Sequence, residues 1–127
     1  MTTRPPSPTD AELEILGVLW RRGPSTVRDV FTELEHRGTG YTTILKLMQI
    51  MAEKGLLLRD ERTKSHVYRA VFREEPTQRR LVRDFIDKTF DGSASRLVLS
   101  ALSAKPATKN ELDEIRALLD EIERRGK

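Results

Sequence analysis

The chain has 127 residues, 37% hydrophobic and 34% charged, with a formal net charge of +3 and no cysteine. This length accommodates one ordinary domain, or a small domain with an appendage, but not two full cores. The lack of cysteine excludes disulfides, thiolate catalysis and sulfur-rich zinc sites and suits a reducing compartment, so the cytoplasm is the expected location; no apolar run approaches the roughly 18 residues of a membrane span, and no direct membrane binding is expected.

In chain order, residues 1–8 carry three prolines and no apolar stretch of the kind a secretion signal needs, and read as a short disordered tail. Thr9-Asp-Ala-Glu12 has capping-box spacing, so a helix is predicted to about Arg22, burying Leu13, Leu16 and Trp20 with Ile15 and Leu19 beside them. Gly23-Pro24 ends it. Ser25 is the expected cap of a second helix, whose Val27, Val30, Phe31 and Leu34 fall at i, i+3, i+4 and i+7; it is predicted to run out at Arg37-Gly38.

The third predicted helix, about Tyr41 to Lys54 with Gly55 as its stop, has two different faces. Ile44, Leu47, Met48 and Met51 repeat the inward spacing, while Thr42, Lys46, Gln49 and Glu53 line the opposite side. Leu45 and Ile50 flank that side and suit either thymine methyls or packing against a neighbouring element. Next come Leu56-Leu57-Leu58-Arg59-Asp60, a polar stretch, and His66-Val67-Tyr68-Arg69-Ala70-Val71-Phe72, the signature of a β-hairpin. Three helices followed by a hairpin is the winged helix-turn-helix order, with Arg62, Lys64 and Ser65 at the tip of the wing.

Pro76 is expected to open a fourth helix to about Phe90, with Leu81, Val82, Phe85 and Ile86 apolar. A short helix carrying Leu97, Val98, Leu99 and Leu102 follows, Lys105-Pro106 interrupts, and Thr108 with Glu111 forms another capping box. The last helix spaces Leu112, Ile115, Leu119 and Ile122 like a coiled-coil seam. The fold class is therefore mainly α with a small β-hairpin wing: a winged-helix domain over residues 9–73 and a helical segment over 74–127.

Charge placement points to the partner. Thr9 to Glu35 carries 3 basic and 6 acidic residues, whereas His36 to Arg73 carries 8 basic and 3 acidic, and residues 74–127 hold 11 of each sign. Between Arg37 and Glu53 there is no acid for fifteen residues. A basic face on an otherwise balanced molecule is the footprint of nucleic-acid binding. Tyr41, Thr42 and Thr43 can bond phosphates, Lys46 and Gln49 stand where base edges lie in a major groove, and Arg62, Lys64, Ser65 and His66 supply a basic wing. The expected partner is duplex DNA; the alternative is a winged-helix module whose third helix grips another protein.

Three C-terminal helices with apolar stripes and few aromatics make a poor core alone. The expected arrangement is a homodimer sealed by Leu81 and Phe85 of the fourth helix, Leu97, Val98 and Leu102 of the fifth, and Leu112, Ile115, Leu119 and Ile122 of the last. Two-fold pairing would also offer two recognition helices to successive major grooves. Catalysis is not expected, since His36 and His66 stand at unrelated places and no short His, Asp or Glu ligand spacing occurs. No metal and no cofactor is expected.

The segments Thr9-Asp-Ala-Glu-Leu-Glu-Ile-Leu-Gly-Val-Leu-Trp20, Ser25-Thr-Val-Arg-Asp-Val30, Tyr41-Thr-Thr-Ile44 and Glu53-Lys-Gly-Leu56 together resemble the penicillinase-repressor family (BlaI/MecI/CopY type) over nearly the whole chain. The resemblance implies a homodimeric winged-helix repressor on a dyad operator, controlling β-lactam-resistance or copper-homeostasis genes. In the β-lactam branch it implies induction by proteolysis of the C-terminal segment, with a membrane-bound sensor metalloprotease as partner. Tyr41, Thr42, Thr43 and Lys46 match the recognition segment and Arg62 to His66 the wing. Ile50 stands where many relatives have a basic residue, so base preference does not carry over. Leu97-Val-Leu-Ser-Ala101 matches the cleavage region without its Asn-Phe pair, leaving Ser100 and Ala101 as the candidate cleavage point. Without cysteine, the copper branch's cysteine-rich metal site cannot exist here.

Overall fold

The computed structural model describes residues 5–126; the first four residues of the expected tail, and Lys127, lie outside it. The elements run α1 (Asp10–Arg22), β1 (Ser25–Thr26), α2 (Val27–Leu34) with a 3-10 turn over Glu35–Arg37, α3 (Tyr41–Lys54), β2 (Leu57–Asp60), β3 (Val67–Ala70), α4 (Glu74–Thr89), α5 (Ala94–Ala104) and α6 (Lys109–Arg125). The chain divides into two compact units between Leu81 and Val82, within α4; the expected boundary at Glu74 is that helix's first residue.

In the first unit, α1 starts as a capping box: the Glu12 backbone N–H donates to Thr9 Oγ1 at 3.2 Å and the Thr9 N–H to Glu12 Oε1 at 2.9 Å. Ile15, Leu16, Val18 and Leu19 of α1 are buried with Val27, Val30 and Leu34 of α2 and Ile44, Met48 and Met51 of α3. Leu13, Trp20 and Leu47, expected in that core, are partly buried and pack against it. α3 ends at Gly55, whose left-handed conformation (φ 88°) sends its N–H back to the Met51 and Ala52 carbonyls, a geometry that costs glycine least.

The expected β-hairpin forms from β2 and β3 and is extended to a three-stranded antiparallel sheet in the order β1-β3-β2, because Ser25 pairs with Tyr68 and Thr26 with Val67. The expected cap of α2 is corrected. Ser25 belongs to β1 and its hydroxyl donates to the Gly23 carbonyl at 2.9 Å, so it does not cap α2. The cap is Thr26, in a reciprocal box with Asp29 at 3.1 Å in both directions. The Thr26 backbone N–H is the main cause holding the Asp29 carboxyl below its ordinary value. Thr26→Ala should lower stability by about 1 kcal/mol, seen as a shifted urea midpoint; an unchanged midpoint would remove this cap from the account of α2.

One buried charge ties α1 to α3. Glu12 is 2% exposed, and the Lys54 ammonium donates to its Oε1 at 2.8 Å. Burial pushes the Glu12 carboxyl up, but Lys54 and the Thr9 N–H outweigh it and hold the group below its ordinary value. α4 begins two residues ahead of the expected start; Pro76 falls in its first turn, where a missing N–H loses no helical hydrogen bond.

In the second unit, α5 is capped by Ser93 and α6 by a Thr108–Glu111 box. No residue from Val82 to Gly126 is buried. Val82, Phe85, Val98, Leu118, Leu119 and Ile122 are 45–55% exposed and Leu99 is 68% exposed. Of the expected seam, Leu97, Leu102, Leu112 and Ile115 are half-buried, as is Leu81 in the first unit. An apolar groove of about 640 Å³ is lined by Leu102, Pro106, Ile115 and Leu118.

Candidate nucleic-acid interface

α3 presents the outward face that its periodicity predicts. Thr42, Thr43, Lys46 and Gln49 are exposed, opposite the buried Ile44, Met48 and Met51. No acid stands in the first turn, so the partial positive charge of the helix start is not offset there. Leu45 is partly buried against the core and Ile50 is 37% exposed, which separates two residues that the sequence left alike. Tyr41 is half-buried, its ring edge-to-face with Phe31 at 5.7 Å between centroids.

The wing turn exposes Arg62, Lys64, Ser65 and His66. Their charges are not equally free. The Arg62 guanidinium grips Asp60 with both Nε (3.0 Å) and Nη2 (2.7 Å), and the Arg62 backbone N–H adds a third bond to the same carboxylate at 3.0 Å. Arg62 thereby holds the Asp60 carboxyl down to about 2. Arg59 is likewise matched, to Glu61 at 2.7 Å. Lys46 and Lys64 have no carboxylate partner among the described residues.

A cleft of about 380 Å³ lies where the starts of α2 and α3 face the wing. Of the predicted site residues it brings together Tyr41, Gln49, Lys64, Ser65 and His66. Thr42, Thr43, Lys46 and Arg62 do not line it. It also contains Arg28 and Arg59, which were not among the expected contacts. The Arg28 guanidinium carbon lies over the Tyr41 ring, 4.6 Å from its centroid, and 5.9 Å from that of Phe31. The polar face of α2 gave a signal for Arg28, but an acid-rich segment masked it.

Among the described residues no group of three or more His, Asp or Glu could hold a metal ion, and no helix is long and apolar enough to cross a membrane. The arrangement offers hydroxyls, an amide and cations on convex and grooved surfaces, suited to binding an anionic polymer.

Comparison with known proteins identifies the family. Residues 8–121 match the profile of the penicillinase repressor family. A methicillin resistance regulatory protein of Mammaliicoccus sciuri is 23% identical over 113 residues, covering 88% of this chain and 92% of its own. The penicillinase repressor of Bacillus licheniformis is 25% identical over 123 residues, 96% of each chain. A transcriptional regulator of Mycobacterium tuberculosis is 30% identical over 116 residues, 90% of this chain and 83% of its own. With nearly all of its length matched and a winged helix in place, the chain belongs to the penicillinase repressor family of transcriptional repressors.

Proposed function

We propose that the protein represses transcription as a homodimer bound to a palindromic operator in duplex DNA, with α3 as the recognition helix in the major groove. The observation that carries this reading is the exposed face of α3, free of acid from Thr42 to Gln49, beside a cationic cleft. Tyr41, Thr42 and Thr43 bond phosphates at the helix start, Lys46 and Gln49 meet base edges, and Lys64, Ser65, His66 and Arg62 of the wing follow the flanking backbone. The second unit, in which no described residue is fully buried, supports dimerisation, since a partner surface would shelter its exposed apolar stripes. The names of the relatives suggest β-lactam-resistance genes as targets.

Induction is proposed to follow cleavage at Ser100–Ala101 by a membrane-bound sensor metalloprotease. Both residues are exposed in the middle of α5, and cleavage there would detach α6. Incubation with the cognate sensor that leaves the chain intact would remove this step.

Binding to a duplex from the protein's own promoter, followed across a potassium chloride series, tests the main reading. Affinity should fall steeply with salt as phosphate neutralisation releases counterions; a flat dependence would favour a protein partner on α3. Lys46→Ala should cost about 1–3 kcal/mol of operator binding and leave the dimer intact. Arg62→Ala should cost less, because Asp60 already neutralises that guanidinium. Unchanged affinity in both variants would overturn the assignment of these residues.

A further inference from the structure

We infer that Arg28 is a DNA-backbone contact, held for a phosphodiester group by the ring of Tyr41; this inference rests on the operator-binding reading above. Arg28 is exposed on the first turn of α2 and lines the cleft that Lys64 and His66 of the wing close from the other side. Its charge is not spent within the protein. Neighbouring arginines are matched, Arg22 to Asp29 and Glu33, Arg59 to Glu61 and Arg62 to Asp60, whereas Arg28 has no carboxylate partner among the described residues.

What holds Arg28 is aromatic. Tyr41 lies under the guanidinium at 4.6 Å and is itself fixed edge-to-face by Phe31. A ring attracts the cation through its quadrupole but supplies no hydrogen-bonding oxygen, so the planar fork of N–H donors stays available for an acceptor brought from outside. Side-chain order is also set before binding, which lowers the entropic cost of the contact. A phosphodiester matches: two non-bridging oxygens and one negative charge for a bidentate guanidinium, on a strand passing between α3 and the wing.

Fluorescence anisotropy of the full-length protein tests this, with a duplex from its own promoter and a scrambled duplex of equal length, each titrated across potassium chloride concentrations. Arg28→Gln should weaken binding about tenfold to a hundredfold near 0.1 M salt. It should lower the slope of log K against log salt by about two per dimer, one phosphate for each copy. The loss should be equal on both duplexes. Arg28→Lys, which keeps the charge, should keep the slope and recover part of the affinity. The Arg28→Gln factor should persist in a Tyr41→Phe background, where the ring remains, and shrink in a Tyr41→Leu background. If the unsubstituted protein binds with a steep slope and Arg28→Gln changes neither slope nor affinity, this inference fails while operator binding stands. A loss confined to the promoter duplex would mean that Arg28 reads a base and would overturn the phosphate assignment. Failure of the unsubstituted protein to bind either duplex at low salt would overturn the operator-binding reading and this inference with it.

Discussion

Leu119→Asp is expected to leave a monomer in sedimentation and to weaken operator binding by about two to four orders of magnitude. The side chain is 55% exposed on α6 in the single chain, so a carboxylate there is hydrated and harmless until a second copy approaches. In a two-fold interface each substitution appears twice, and two desolvated carboxylates near the axis would repel one another. In the proposed dimer, losing the pair would remove the tether that makes the second half-site an intramolecular event, a benefit of about 10²–10⁴-fold. Ile115→Asp should do the same from a half-buried position. An undisturbed dimer in both variants would show that α6 is not the seam.

Lys54→Met should be the most destabilising single change in the ion pair between α1 and α3. It strands the Glu12 carboxylate, 2% exposed, with only its Thr9 bonds. Breaking a fully buried pair costs about 3–5 kcal/mol, and because the Lys54 side chain is itself 32% exposed the expectation here is about 2–3 kcal/mol. The double replacement Glu12→Gln with Lys54→Met should recover most of that. Acid behaviour gives a second reading. The depressed Glu12 carboxyl contributes stability that is present above its ordinary value of 4.5 and is lost as pH falls below it. Removing Lys54 takes away much of that depression, so the loss of stability as pH falls below the ordinary carboxyl value should flatten. Denaturant melts at several pH values measure both effects; equal midpoints for the native protein and Lys54→Met would show that the pair contributes nothing.

Local signals were legible where one or two turns decide the outcome. Thr9 with Glu12 and Thr108 with Glu111 mark helix starts because capping boxes need only four residues, and the α3 faces follow from spacing alone. Ser25 misled because two adjacent hydroxyls compete for one cap; the deciding residue is Asp29, three beyond Thr26. β1 has two residues and exists only because β3 pairs with it, so no periodicity could announce it. The candidate site was half readable. Exposure on α3 and at the wing follows from pattern, but Arg28 meets Tyr41 through the packing of α2 against α3, and Arg62 meets Asp60 through the geometry of a turn. On α6, the coiled-coil spacing picks out Leu119 and passes over Leu118, although Leu118 lines the α5–α6 groove.

The indole N–H of Trp20, the chain's single tryptophan, donates to the Phe72 carbonyl at 3.0 Å and so joins α1 to the chain just beyond β3. That bond makes the residue a built-in optical gauge of one half of the molecule. Its emission senses the loosening of the N-terminal unit, while far-ultraviolet ellipticity sums helices from both. Comparing the two signals on unlabelled protein distinguishes melting of the N-terminal unit from changes in the helices of the C-terminal one.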